Sequence, residues 1–339
     1  MADTLRVGVI GTGRIGVLHA RNLAGKIPGV RLEAVSDVVG AAAEKCAAEL
    51  GIASATTDHR RILERKDIDA VVICSSTDTH SRMIGEAAEA GKHIFCEKPI
   101  DFDLKRIDEA LAKVKRAGVK LQIGFNRRFD PSFQRVRDLV AAGGVGTPHL
   151  LRITSRDPSP PPIAYVKVSG GIFLDMMIHD FDMARYQMGR EVTEVFAAGG
   201  VLVDPEIGKA GDVDTAVVTL RFEGGAMGTI DNSRKSVYGY DQRVEVFGSG
   251  GMAEAGNAYP NTVTVSGDRS VARDLPLNFF LERYMDAYLR EVAAFVACVR
   301  DGKNPPVGGL DGRVPVVMGK AAKLSAEQNR PVKLSEIEA

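Results

Sequence analysis

The sequence has no excess charge of either sign, few cysteines and no long apolar run, and each shortage excludes a class of function. Lys plus Arg and Asp plus Glu both number 44, and no compact basic tract carries interleaved aromatics, so nucleic acid is not an expected partner. The four cysteines, Cys46, Cys74, Cys96 and Cys298, contain no C-x-x-C pair. That pattern suits free thiols acting as small buried hydrophobes in a reducing compartment, and gives no disulfide framework. No stretch approaches the roughly 18 uninterrupted apolar residues of a membrane helix. The apolar run from Leu5 is broken by glycines and lacks the h-region of a signal peptide, so the expected location is cytoplasmic.

What is present is a chain of 339 residues, 45% hydrophobic and 26% charged, enough for two cores rather than one. The first third alternates β-branched runs with helical patterns: Leu5 to Ile10, a helix after Gly16, Leu32 to Ser36, a helix from Ala41 to Leu50, Ala70 to Ser75, His93 to Cys96 and Leu121 to Phe125. Strands separated by single helices need crossovers, which build a parallel sheet. The expected fold class is therefore α/β, with a doubly wound nucleotide-binding domain over residues 1–123. From 124 to 339 the pattern changes. Leu150 to Thr154, Thr215 to Phe222, Ala226 to Asn232 and Arg243 to Gly248 read as strands joined by turns such as Glu223-Gly224-Gly225, which predicts an α+β domain on a mainly antiparallel sheet. Pro158 to Pro162 reads as a loop across a site, and Glu282 to Val299 and Gly312 to Gln328 as helices, with Pro315 limiting or bending the start of the second.

Gly11-Thr12-Gly13-Arg14-Ile15-Gly16 follows the first strand and opens a helix. The G-x-G-x-x-G pattern is informative only in this strand-turn-helix setting, where the glycines allow a tight turn, backbone approach to a pyrophosphate and close helix packing. Asp37 ends the second strand, placed to accept hydrogen bonds from ribose hydroxyls and to repel a 2'-phosphate; Val38 rather than a cation follows it, so NAD is expected over NADP.

Two further motifs carry chemistry. Cys96-Glu97-Lys98-Pro99 follows a strand at the sheet edge where such folds bind ligands, so Lys98 can supply a charged donor to a reacting oxygen. Asp175, His179 and Asp182 share one face of an otherwise apolar helical segment from Ile172 to Tyr186. A histidine there suits a general base for alcohol oxidation, with Asp175 orienting it. The alternatives are a structural Asp-His hydrogen bond or a metal pair, and without a third His or Cys ligand no metal is expected. His19, His59 and His149 read as surface or packing histidines, and Tyr284 and Tyr288 as cleft, interface or core residues.

Together GTGRIG, CEKP and the Asp175 to Asp182 segment resemble the glucose-fructose oxidoreductase and inositol dehydrogenase family over essentially the whole chain. The SRDP, SGGIFLDMMIHDFDMAR and YGYDQR segments narrow the resemblance to its inositol-oxidising branch. The resemblance implies NAD-dependent oxidation of a cyclic polyol, myo-inositol first, and a homotetramer assembled through an open sheet. Another inositol isomer or an aldose is the nearest alternative, and a catalytically silent dinucleotide sensor a more distant one. Carried over by motif, Lys98, Asp175 and His179 are the catalytic set. Gly11, Gly13, Arg14, Ile15, Gly16, Asp37, Ser75, Thr77, His80, Glu97 and Lys98 line the cofactor. Arg127 of GFNRRFD, Asp157, Asp182 and Tyr240 surround the polyol.

Overall fold

The β-branched run Leu5–Ile10 forms β1, the central strand of a six-stranded parallel sheet in the order β3-β2-β1-β4-β5-β6. The computed structural model describes residues 4 to 338. Along the chain come α1 (Arg14–Gly25), β2 (Val30–Ser36), α2 (Gly40–Leu50), β3 (Ala55–Thr56), α3 (Arg60–Leu63), β4 (Ala70–Ile73), α4 (Thr77–Glu89), β5 (His93–Glu97), α5 (Leu104–Ala117) and β6 (Leu121–Gly124). Strands β1 and β4 are buried along most of their length, as parallel strands covered on both faces require. Their order reverses between β1 and β4, the position at which this topology binds a ligand.

The second sheet has seven strands in the order β12-β11-β7-β10-β9-β8-β15. Its elements are α6 (Pro131–Ala141), β7 (Pro148–Arg156), α7 (Ile163–Val166), α8 (Gly171–Asp175), α9 (Ile178–Met188), β8 (Val192–Gly200), α10 (Pro205–Lys209), β9 (Thr215–Phe222), β10 (Met227–Ser233), β11 (Asp241–Gly248) and β12 (Gly251–Ala255). All pairings are antiparallel except β10 with β7. Strand β9 alternates buried and exposed residues, so Val218 and Leu220 enter the core while Val217 and Thr219 face outward. Beyond lie the hairpin β13 (Thr264–Ser266) with β14 (Val271–Arg273), α11 (Phe280–Arg283), α12 (Met285–Arg300), α13 (Gly309–Gln328), β15 (Val332–Lys333) and α14 (Ser335–Glu338).

The chain divides into two compact units, one comprising residues up to Asn126 with Asp286–Val314, the other Arg127–Met285 with the residues from Pro315 onward. An uninterrupted second domain over 124–339 does not describe this arrangement. Nearly all of α12 belongs to the first unit, because Val292, Phe295 and Val296 share a buried cluster with Val7, Val9, Val72 and Phe95. Each such side chain contributes about 1.5–3 kcal/mol by leaving water. Pro315 lies inside α13, which begins at Gly309, and the division between units falls immediately before it.

Candidate active site

In the first unit the glycine loop is built for close approach. Gly11 has φ +94°, and a Cβ on it would meet the Cys74 carbonyl at 2.6 Å; a Cβ on Gly16 would lie 1.9 Å from the Gly11 carbonyl oxygen. A Cβ on Gly13 would meet nothing within 4 Å, so the side left clear there faces open space above the start of α1. That arrangement fits a pyrophosphate on the helix N-terminus, with exposed Arg14 beside it and Ile15 half-buried beneath. The Asp37 carboxylate accepts hydrogen bonds from the Thr12 N–H at 2.7 Å, the Thr12 hydroxyl at 3.1 Å and the Val39 N–H at 2.9 Å. It therefore ties the end of β2 to the glycine loop, while remaining half-exposed beside an exposed Val38.

Ser75, Thr77, His80, Glu97 and Lys98 follow β4 and β5, on the C-terminal edge of the same sheet. Ser75 and Thr77 are half-buried, with the Ser75 hydroxyl 2.7 Å from that of Thr79. His80 is buried between the loops that follow β4 and β5. Its Nδ1 lies 2.8 Å from the Pro99 carbonyl oxygen and its Nε2 2.9 Å from that of Ser75, so both ring nitrogens serve as a buried strut between the two edge loops. Lys98 is half-buried and precedes Pro99 through a cis peptide.

In the second unit the expected single helix from Ile172 to Tyr186 is broken. The Met177 N–H reaches back to Ile172 O at 2.8 Å, a five-residue turn, before α9 restarts with Asp180 N bonded to Met177 O at 2.9 Å. A wide turn of this kind re-aims the side chains on either side of it, here Asp175 and His179, both half-buried. Asp175 accepts a hydrogen bond from the Tyr165 hydroxyl at 2.8 Å and one from Arg234 Nη1 at 3.4 Å. Arg234 is 1% exposed and also faces Asp212, at 3.5 Å. The loop from Pro158 to Pro162 carries no regular structure and leads into α7, which supplies Tyr165.

Arg127, buried, donates to Asp180 Oδ1 at 2.6 Å and to the Ser155 hydroxyl at 3.3 Å, and Asn232 donates to the other Asp180 oxygen at 2.9 Å. Burial pushes the Asp180 carboxyl up from its ordinary value, against the pull of Arg127. Burial likewise pushes Asp157 up to about 7, opposed by Arg234 and Arg127 and reinforced by Asp175 and Asp180. Tyr240 is buried edge-on to Tyr284 at 5.9 Å, and burial raises its hydroxyl well above the usual phenol range. Asp182 lies on the same helix, two residues beyond Asp180. Its carboxylate is fully buried and takes three hydrogen bonds of 2.6 to 3.1 Å from Arg128, an internal ion pair. Asp180, Tyr165 and Arg234 escaped the sequence reading. Asp180 adjoins His179 and had a polar signal, but nothing local distinguishes it from Asp182.

Two family models match this chain: an oxidoreductase family with an NAD-binding Rossmann fold over residues 5–125, and a GFO/IDH/MocA C-terminal domain over 133–254. A myo-inositol 2-dehydrogenase from Thermotoga maritima is 53% identical over 98% of this chain and 99% of its own length. An inositol 2-dehydrogenase from Rhizobium meliloti is 44% identical over 98% of this chain and 100% of its own. The crystal structure of a scyllo-inositol dehydrogenase from Lactobacillus casei, with NAD(H) and scyllo-inositol bound, superposes with a TM-score of 0.92 at 33% identity, covering 98% of this chain and 100% of that one. With the parallel sheet and glycine loop in place, and Asp37 tied to that loop at the end of β2, this chain belongs to the GFO/IDH/MocA oxidoreductase family and uses NAD as its cofactor.

Proposed function

We propose that this enzyme is an inositol 2-dehydrogenase that oxidises myo-inositol to its 2-keto derivative. The observation that carries this reading is the set of hydrogen-bonding groups in the second unit. Asp157, Asp175, Tyr165 and Tyr240 gather about the buried guanidinium groups of Arg127 and Arg234, with His179 half-buried on the same unit. A ring bearing a hydroxyl on every carbon needs such a density of paired donors and acceptors. The names of the Thermotoga and Rhizobium relatives support the same substrate class. His179 takes the hydroxyl proton on an imidazole nitrogen, Asp175 stabilises the resulting charge, and the Lys98 ammonium donates a hydrogen bond to the oxygen as it becomes a carbonyl. Bound NAD supplies the hydride acceptor.

The Lactobacillus complex favours scyllo-inositol as a second reading. A kinetic panel of inositol isomers and aldoses with both cofactors separates the two; strong activity on glucose with none on any inositol overturns the substrate class. Absence of turnover on the whole panel would favour a dinucleotide sensor.

Asp157 gives the enzyme a pH-dependent substrate contact. With a pKa of about 7 it passes from a hydroxyl-like donor to a charged acceptor across neutral pH. KM for myo-inositol should therefore fall as pH rises through about 7, and Asp157→Asn should flatten that fall. An unchanged KM profile in the variant assigns the titration elsewhere. The sign for folding is opposite. The unfolded chain releases this proton near 3.8 and the folded one near 7, so Asp157 lowers stability progressively across that window.

Asp37 sets the cofactor preference. Its carboxylate attracts the ribose hydroxyls of NAD and repels the 2'-phosphate of NADP. Asp37→Ala should lower kcat/KM for NAD while that for NADP rises or holds, and adding Val38→Arg should move the ratio further by giving the phosphate a bidentate partner. A variant with the wild-type ratio shows that another group decides.

The outer face of the second sheet exposes Val217, Met227, Phe247 and Met252, which supports a homotetramer built through that face. Light scattering should give four times the 36.3 kDa chain mass, and replacing Met227 and Phe247 by lysine should lower it. A monomeric wild type removes this assembly.

A further inference from the structure

The first unit contains a buried triad that the proposed chemistry does not use. His19 of α1, without solvent exposure, places Nε2 2.8 Å from Glu97 Oε1 and 3.8 Å from Glu291 Oε1 of α12. The imidazole is held edge-on by Phe95 at 5.1 Å and Tyr288 at 5.9 Å. On the far side, a Cβ on Gly124 would lie 3.1 Å from the Glu97 carboxyl carbon, so the glycine that ends β6 spares that carboxylate a tight contact. Gln122 of β6 donates to the Glu291 carbonyl oxygen at 2.7 Å, which fixes α12 at this level.

Glu291 is fully buried, and among the described residues neither of its carboxylate oxygens has a hydrogen-bond partner. A carboxyl group in that position adds nothing to stability that an apolar side chain of similar volume would not. Its placement instead acts on His19, whose Nε2–H it faces together with Glu97. Glu97 is the partly accessible member, with 13% of its side chain exposed, and it stands at the end of β5 next to Lys98. His19 occupies one of its oxygens, and among the described residues no donor reaches Oε2.

We infer that His19 and Glu291 are positioning residues for the Glu97 carboxylate, which they hold so that Oε2 accepts a hydrogen bond from a hydroxyl or amide N–H of the nicotinamide half of NAD. The titratable neighbours are Glu97 from β5, Glu291 and Tyr288 from α12, and the thiols of Cys74 and Cys96, which sense the Glu97 charge. Burial, with Glu97 adjacent, pushes the Glu291 carboxyl well above the ordinary carboxylate range. As pH rises and Glu291 ionises, a second negative charge competes for the single His19 N–H and loosens Glu97. Cofactor affinity in the wild type should then weaken on the alkaline side.

NADH binding by the full chain, followed by the emission of NADH across about pH 6 to 10 without any polyol, tests this independently of the substrate reading. His19→Ala should raise Kd roughly tenfold or more, and His19→Gln, which retains an N–H donor, should recover part of the loss. Glu97→Gln should also weaken binding. Glu291→Gln, of the same shape but unable to ionise, should abolish the alkaline weakening. The inference is overturned by a Glu291→Gln profile that keeps the wild-type alkaline limb. It is equally overturned by His19 variants that bind NADH as tightly as the wild type, or whose affinity losses merely track their melting temperatures. The three ligand atoms lie within 4.8 Å of one another, so elemental analysis belongs in the same experiment; a stoichiometric metal ion in the purified protein would give the triad a different role.

Discussion

Replacing His179 with alanine should lower turnover by roughly 10²–10⁴-fold, the usual contribution of a positioned general base. NADH affinity should change little, because His179 belongs to the second unit and the glycine loop, Asp37 and Glu97 to the first. Asp175→Asn should produce a smaller loss and shift the acid limb of the pH–rate profile to lower pH, since a neutral amide stabilises imidazolium less well and the base then holds its proton less tightly. Tyr165 and Arg234 hold the Asp175 carboxylate, and an amide keeps only part of that pairing. A His179→Ala enzyme with near-normal turnover would remove the base assignment, and an Asp175→Asn enzyme with the wild-type pH profile would remove the pairing.

The largest stability effect is expected at Arg127. Arg127→Met should cost about 3–5 kcal/mol, because it strands the Asp180 carboxylate in the core with Asn232 as its remaining donor. Denaturant titration reads this as a lower midpoint, and the double variant Arg127→Met with Asp180→Leu should recover much of the loss by removing the unpaired charge. A single variant within about 1 kcal/mol of wild type would mean that the buried pair is not needed to hold the second unit together. The same network reaches Ser155, Gln242 and Tyr284, so partial unfolding of that unit should appear before the first unit unfolds.

Where the chemistry depends on local pattern, it was legible. GTGRIG, with Asp37 at the end of the second strand, specified a dinucleotide loop because each glycine answers a short-range steric demand, and the structure shows those demands at Gly11 and Gly16. The strands Leu5–Ile10 and Thr215–Phe222 also have the bounds that their residue pattern indicates. Strand β8 went unread because Ala197-Ala198-Gly199-Gly200 has little β preference, and pairing with β9 decides it.

The sequence by itself determined the class of cofactor, the order of parallel and antiparallel sheets, and the residue types that alcohol oxidation needs, since these rest on periodicity and on spacings of a few residues. Only the tertiary structure decided which charges are spent on one another. Arg127 finds Asp180 across 53 residues, Arg128 finds Asp182 across 54, and Arg234 finds Asp175 across 59. Neighbouring arginines and alternating aspartates look interchangeable along the chain. Burial separates them, because a desolvated carboxylate must be neutralised by whichever cation the packing of distant elements brings within hydrogen-bonding reach. The same reason hid the His19–Glu97–Glu291 triad, whose members come from the first helix, the fifth strand and a helix that returns to the first unit only after six of the seven strands of the second sheet.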